Sequence, residues 1–170
     1  MRSVRIICLS HRDFDNRMMS IGLNDDNVDS DKDKAFISII GTEECLKHYL
    51  NEEDTTHYFS DGHENVLNLE FDDLDRNFVY HGHQFKAMSE KQAERTIDFI
   101  EDNIGVSEYY VHCRAGISRS RACCEMIARI LEDNGITVNY PERDEFYSSL
   151  NSGVLMILSR AYLKKHKVYE

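Results

Sequence analysis

The segment with the clearest chemical potential lies at residues 111–120, where a short apolar run meets a helical pattern. It places Cys113 and Arg119 six positions apart, with Gly116 between them. A strand that ends at Cys113 and a helix that begins near Arg119 force the backbone between them to curl tightly, which glycine permits. Successive N–H groups of such a loop point inward, and the helix dipole adds to their field. The segment therefore predicts a site for a tetrahedral oxyanion such as phosphate.

Arg119 and Cys113 have complementary roles in such a loop. A cation at the N-terminus of a helix is electrostatically unfavourable unless it serves an anion beside it. The planar guanidinium of Arg119 can bind two phosphate oxygens at once. The same field lowers the pKa of a thiol, to roughly 3.5–7.5 at helix N-termini and beside cations. Cys113 is therefore expected to be a thiolate nucleophile at neutral pH.

The residues around this pair are expected to support it. The hydroxyl of Ser120 is positioned to hydrogen-bond the sulfur, and His112 is expected to orient the loop, since an acidic thiol needs no separate base. The expected phosphate-binding residues are those that follow the cysteine: Arg114, Ala115, Gly116, Ile117, Ser118 and Arg119.

Strand-length apolar runs alternate with helical patterns along the chain. The predicted strands are 4–9, 35–40, 66–71 and 109–112, and helices are predicted to begin near 42, 89, 119, 142 and 153. The polar and acidic stretch 11–34 is predicted to be a loop, as is the segment around His81-Gly82-His83. This alternation predicts one α/β domain over residues 1–170, with a mainly parallel sheet of four to five strands flanked by helices.

The pattern His112-Cys113-x5-Arg119-Ser120, with Gly116 and Ser118 inside it, resembles a known signature. It is similar to the H-C-x-x-G-x-S-R-S loop of the dual-specificity branch of the cysteine-dependent protein tyrosine phosphatase superfamily. The likeness is strongest over residues 66–134. It implies a protein phosphatase that acts on phosphotyrosine through a cysteinyl-phosphate intermediate, and it leaves open whether phosphoserine and phosphothreonine are also substrates. It implies no metal and no other cofactor.

The resemblance also implies a general acid, an aspartate on a loop that follows an earlier strand. Three candidates follow the predicted strand 66–71. Asp73 is the first choice, because it stands second after the last aromatic residue of the strand, as in the F-D-D loops of bacterial members. The separation between Asp73 and Cys113 is longer than in compact dual-specificity enzymes. Asp75 and Asp72 therefore stay open as alternatives.

Charge and cysteine usage narrow the partners and the location. The chain has 170 residues, a net charge of -11 and five cysteines with no C-x-x-C pair. An acidic surface repels nucleic acid and anionic membranes at long range. The N-terminus lacks the pattern of a signal peptide, and the unpaired cysteines suit a reducing compartment. We therefore expect a cytoplasmic protein whose partner is a phosphorylated protein, with no nucleic acid and no membrane involved.

Two other functional classes would use the same loop. A non-catalytic module that binds phosphorylated residues would need the loop and Arg119 but not the thiol, so the intact Cys113 argues against it. A rhodanese-like or arsenate-reducing thiol enzyme would share the Cys-x5-Arg loop and would need no aspartate acid. Lipid-directed relatives carry lysines inside this loop, which residues 114–118 lack.

Overall fold

A sheet of five parallel strands runs through the centre of the structure, a computed structural model that describes residues 2–49 and 56–167. The strands of the described chain are β1 (Ser3–Ser10), β2 (Lys34–Ile40), β3 (Val66–Glu70), β4 (Phe78–Tyr80), β5 (His83–Phe85), β6 (Glu108–Cys113) and β7 (Thr137–Asn139). The helices are α1 (His11–Ser20), α2 (Glu43–Tyr49), α3 (Glu90–Asp102), α4 (Arg119–Asp133), α5 (Arg143–Phe146) and α6 (Ser152–Lys165). The central sheet has the order β3-β2-β6-β1-β7, and β4 pairs with β5 in a separate hairpin. The predicted α/β class and the parallel sheet are confirmed.

The two faces of the sheet carry separate hydrophobic clusters. Tyr109 and Val111 of β6 pack on the side of α3, α4 and α6, whereas Tyr110 packs on the side of α1. This alternation follows from the strand geometry, which points successive side chains to opposite faces. Cys113, the last residue of β6, belongs to the first cluster. Its side chain therefore lies on the face of the sheet that α4 covers.

Helix α1 occupies residues that the sequence predicts to be a loop, so the prediction was wrong for residues 11–20. The Ser10 side chain caps the helix by accepting a hydrogen bond from the Asp13 N–H at 3.1 Å. His11, Phe14 and Met18 are its buried residues, spaced at i, i+3 and i+7. Three buried positions are enough for a helix that packs against a sheet. Because the other residues of α1 are mostly polar, the segment as a whole has the composition of a loop. After α1, the segment is a loop with one short 3-10 turn at Val28–Ser30.

The β4–β5 hairpin also lies where the sequence predicts a loop. His81 and Gly82 form its two-residue turn and both have positive φ, 48° and 81°. Such turns match the twist of an antiparallel pair, and glycine supplies one of the two unusual conformations. Strand β7 was not predicted either, and it extends the sheet by pairing Ser3–Arg5 with Thr137–Asn139.

The helical predictions hold for most of the remaining chain. The spacing of Ser89 and Gln92 predicts a capping box, and the two residues form one at the start of α3. Gly135 follows α4 with φ 72°. The sequence predicts a helix over 142–150, whereas α5 ends at Phe146 and a 3-10 turn follows at Tyr147–Ser149. For α2 the sequence predicts a buried side made of Cys45, Leu46, Tyr49 and Leu50. Leu46 is buried and Cys45 half-buried, whereas the Tyr49 side chain and Leu50 lie outside the described part.

No helix within the described ranges combines the length and the apolar character needed to cross a membrane.

Replacing Phe14 by alanine is expected to lower the free energy of unfolding by about 3–5 kcal/mol, because it leaves a cavity in a fully buried aromatic cluster. The Phe14 ring contacts Phe36, Phe59 and His112, with ring centroids 6.3, 6.3 and 4.4 Å away. Met19 on the same helix is 59% exposed, so Met19→Ala is expected to change stability by less than about 0.5 kcal/mol. Urea unfolding measures both variants, and equal losses would contradict the packing of α1 on the sheet.

Candidate active site

A cleft of about 450 Å³ opens at the carboxyl ends of β2 and β6. In parallel sheets ligands bind at this edge, beyond the ends of the strands. The lining residues come from the end of β2, from α2, from the 72–75 loop after β3 and from the 113–119 loop after β6. They include Ile39, Ile40, Cys45, Leu46, Asp72, Asp73, Cys113, Arg114, Ala115, Ile117, Ser118 and Arg119. The cleft thus brings together the thiol, the arginine and two of the three candidate aspartates.

The 113–119 loop folds back against the end of β1. Gly116 has φ 69°, and a Cβ at this position would lie 2.6 Å from the Leu9 carbonyl carbon and 2.7 Å from the Ser10 nitrogen. Only glycine fits, because the conformation is left-handed and the β1 backbone occupies the space of a side chain. The His11 N–H donates to the Arg114 carbonyl at 3.1 Å and ties the loop to the start of α1.

The Cys113 thiol lies at the base of this loop and is only 2% exposed. Burial by itself raises the pKa of the Cys113 thiol. The hydrogen bond with Ser120 Oγ at 3.1 Å, the backbone N–H groups of Ser120 and Ser118, and the charge of Arg119 oppose it. Their combined effect holds the pKa of Cys113 below its ordinary value. The surroundings of this sulfur therefore favour the thiolate.

The Arg119 guanidinium is buried beside the cleft at 8% exposure. Its Nη1 donates to the Phe71 carbonyl at 2.7 Å, which fixes the side chain against the strand that leads into the 72–75 loop. Its Nε is buried, and the residues that the structure describes give it no hydrogen-bond partner. A buried donor without an acceptor is costly. An oxyanion in the cleft is the kind of acceptor that this donor needs.

The three candidate aspartates have different environments. Asp72 is 3% exposed, and its carboxylate accepts hydrogen bonds from the Thr42 N–H, the Thr42 hydroxyl and the Lys86 N–H, each within 2.9 Å. Asp73 is exposed, and its Oδ1 accepts from Ser118 Oγ and Asn151 Nδ2, both at 2.7 Å. Asp75 is not among the residues that line the cleft. The geometry therefore favours Asp73 as a proton donor. Asp72 instead links Thr42, which follows β2, to Lys86, which follows the β4–β5 hairpin.

A chain of hydrogen bonds lies behind the 113–119 loop. His112 Nε2 is 2.7 Å from Ser38 Oγ, which is 2.6 Å from His57 Nδ1. Burial lowers the pKa of His112 to about 3 and that of His57 to about 4, with smaller effects from neighbouring charges. Both imidazoles are therefore neutral at pH 7. This environment suits an orienting role for His112, not a proton-transfer role.

Several residues of the site have no signal in the sequence. Ser38 and His57 approach His112 only through tertiary contacts, and Cys8 donates to Ser120 Oγ at 3.3 Å from the neighbouring strand. Asn151 precedes the apolar pattern of α6, so its capping role has a sequence signal, but its contact with Asp73 has none.

Within the described residues, no group of three or more histidine, cysteine or acidic side chains is arranged to hold a metal ion.

Gly116→Ala is expected to destabilise the protein more than Gly22→Ala, by about 1–3 kcal/mol, because the added methyl collides with the β1 backbone. Gly22 is a matched control, since its φ of 73° imposes the same conformational cost and no atom lies within 4 Å of its Cβ position. Urea unfolding gives the two free energies. Gly116→Ala is also expected to weaken binding of tungstate, a phosphate-like oxyanion. Equal destabilisation and unchanged tungstate binding in both variants would contradict the loop geometry.

His112, which is buried, and His57, which is half-buried, predict a loss of stability on acidification. The folded pKa values of about 3 and about 4 lie below the ordinary value of 6.5. As the pH falls from 6.5 towards 4, the unfolded chain takes up protons that the folded chain does not, so unfolding is favoured. Each histidine contributes a slope of up to about 1.4 kcal/mol per pH unit. His57→Gln is expected to flatten the measured slope over this interval, and an unchanged slope would contradict the lowered pKa of His57.

Comparisons with known proteins give no relative for this chain: no protein-family model, no curated protein and no solved structure matches it.

Proposed function

We propose that this protein is a cysteine-dependent phosphatase of the dual-specificity type. Its proposed substrates are phosphotyrosine and, beyond it, phosphoserine and phosphothreonine in proteins. The supporting observation is that the Cys113 thiol, with its lowered pKa, and the buried Arg119 guanidinium face one cleft at the N-terminus of α4. A phosphate bound by Arg119 in this cleft would therefore lie next to the nucleophilic sulfur of Cys113.

In the first step, the Cys113 thiolate attacks phosphorus. The S–P bond forms as the P–O bond to the substrate oxygen breaks, and the Asp73 carboxyl gives its proton to that oxygen. The products are a cysteinyl-phosphate, a free hydroxyl on the substrate and an Asp73 carboxylate. Arg119 and the N–H groups of the 113–119 loop hold the equatorial oxygens, where charge is concentrated in the transition state.

In the second step, water hydrolyses the cysteinyl-phosphate. The Asp73 carboxylate takes a proton from the water as its oxygen attacks phosphorus, and the S–P bond breaks to return the thiolate and inorganic phosphate. The Ser120 hydroxyl, 3.1 Å from the sulfur, stabilises the leaving thiolate. Apart from the substrate and the attacking water, these steps use side chains and backbone groups of this chain.

The walls of the cleft support an aromatic substrate. Ile39, Ile40, Leu46 and Ile117 line it, and Ile117 is 47% exposed at the rim. Apolar walls favour the phenyl ring of phosphotyrosine, because burying the ring removes apolar area from water. The short side chains of phosphoserine and phosphothreonine offer less area to these walls. We therefore rank phosphotyrosine first among the proposed substrates.

Cys113→Ser is expected to lower the turnover of 4-nitrophenyl phosphate by on the order of 10⁴-fold or more, because no thiolate remains to attack phosphorus. The variant is expected to keep binding a phosphotyrosine peptide, since Arg119 and the loop N–H groups are retained. Wild-type turnover is expected to be insensitive to EDTA and inhibited by vanadate. Steady-state kinetics and calorimetric binding measure these outcomes.

Cys123→Ala is the matched control for this experiment. Cys123 is fully buried in α4, and burial raises the pKa of its thiol, so it stays protonated and is expected to change turnover by less than about twofold. Normal turnover in Cys113→Ser would remove the nucleophile. Peptide binding without any turnover in the wild type would instead identify a non-catalytic phosphoresidue-binding module.

A further inference from the structure

Asn151 connects the two loops that the proposed reaction needs. Its backbone N–H donates to the Ser118 carbonyl at 3.2 Å, in the 113–119 loop. Its Nδ2 donates to Asp73 Oδ1 at 2.7 Å and to the Leu74 carbonyl at 3.5 Å, in the 72–75 loop. Its Oδ1 accepts from the Val154 N–H at 3.0 Å and caps α6. One short side chain thus holds the 72–75 loop, while the same residue's backbone holds the 113–119 loop.

Helix capping alone does not explain an asparagine at this position. Serine, threonine or aspartate would accept the Val154 hydrogen bond about as well. Asparagine differs from them because its N–H donors lie one bond further along the side chain than a serine or threonine hydroxyl, and an ionised aspartate has no donor. The donor is the part of Asn151 that reaches Asp73, so the two functions of the side chain can be separated by substitution.

Gly153 provides a second contact between α6 and the 72–75 loop. A Cβ at Gly153 would lie 2.8 Å from both the Cα and the Cβ of Asp75. A distance this short means that any side chain at position 153 would displace the loop. The first turn of α6 therefore has a shape that accepts the 72–75 loop as well as a donor that binds it.

The two donors on Asp73 also determine which carboxyl oxygen can carry the proton. Ser118 Oγ and Asn151 Nδ2 both donate to Oδ1. An oxygen that accepts two hydrogen bonds uses both of its lone pairs, so the acidic proton belongs on Oδ2. Holding Oδ1 in this way orients Oδ2 relative to the 113–119 loop, where the substrate oxygen would lie.

We propose that Asn151 is a positioning residue for the general acid Asp73, fixing its carboxyl so that Oδ2 delivers the proton to the leaving oxygen. This inference rests on the proposed phosphatase function. The resulting role is specific to proton delivery. It does not extend to phosphate binding, which Arg119 and the loop N–H groups perform.

Asn151→Ser tests this role, because serine can still cap α6, whereas its hydroxyl lies one bond short of the amide nitrogen that donates to Asp73. The two substrates are phenyl phosphate, whose phenol has a pKa of about 10, as in tyrosine, and 4-nitrophenyl phosphate, whose phenol is more acidic. A poor leaving group needs the proton and a good one does not. For phenyl phosphate, kcat is expected to fall roughly 10- to 100-fold, the scale of a misplaced catalytic group. For 4-nitrophenyl phosphate, kcat is expected to fall less than about threefold, with KM unchanged for both.

Three further variants complete the test. Gly153→Ala displaces the same loop and is expected to show the same preference for the good leaving group. In an Asp73→Ala background, Asn151→Ser is expected to have no further effect, because the two residues act as a unit. Met156→Gly is the matched control: Met156 is 59% exposed on α6, so glycine weakens the same helix away from the loop and is expected to leave the ratio of the two kcat values unchanged.

An equal fall of kcat on both substrates, or an additive effect in the Asp73→Ala background, would overturn the role of Asn151 and leave the phosphatase function intact. A wild-type protein that hydrolyses neither ester would overturn the proposed function itself, and this inference with it.

Discussion

The Cys113 sulfur is buried at the base of the cleft, where ionisation is unfavourable, and yet the surrounding groups favour its thiolate form. Burial raises the pKa of the Cys113 thiol, because a thiolate out of water loses its hydration. The hydroxyl of Ser120, two backbone N–H groups and the Arg119 charge reverse the direction of the shift. These groups also lie where an incoming phosphate would need donors. In the proposed reaction, one set of groups would therefore both stabilise the thiolate and bind the phosphate, as expected of an electrostatically preorganised site.

The groups that hold this arrangement belong to distant parts of the chain. The β1 backbone at Leu9 lies against Gly116 and leaves no room for a side chain there, which constrains the conformation of the 113–119 loop. The Phe71 carbonyl orients the Arg119 guanidinium, and Ser38 and His57 fix His112 from the opposite face of the sheet. Parallel strands make this possible, because their carboxyl ends meet at one edge and bring loops of high sequence separation into contact.

The sequence predicts the parts of this account whose physical causes are local. A strand, a curled loop with a glycine and a helix can be predicted from residues 109–134, and the capping box at Ser89 is a four-residue pattern. Helix α1 was missed, because its stripe of Phe14 and Met18 matters only when a sheet face is present to cover it. The contact of Asn151 with Asp73 joins residues 78 positions apart, so no local pattern carries it. Asp73 lines the cleft and Asp75 does not, and this difference depends on tertiary structure that no local pattern carries.

The most direct test is the pH dependence of Cys113 alkylation by iodoacetamide, followed at that residue by mass spectrometry. We predict half-maximal reactivity at a pH below the ordinary thiol value of about 8.5, protection by tungstate, and a rise of the midpoint in Ser120→Ala. Residue-level detection separates Cys113 from Cys8, whose pKa is also lowered, chiefly by a hydrogen bond from Cys124. An ordinary midpoint at Cys113, unchanged by tungstate and by Ser120→Ala, would contradict a thiolate held beneath an oxyanion site.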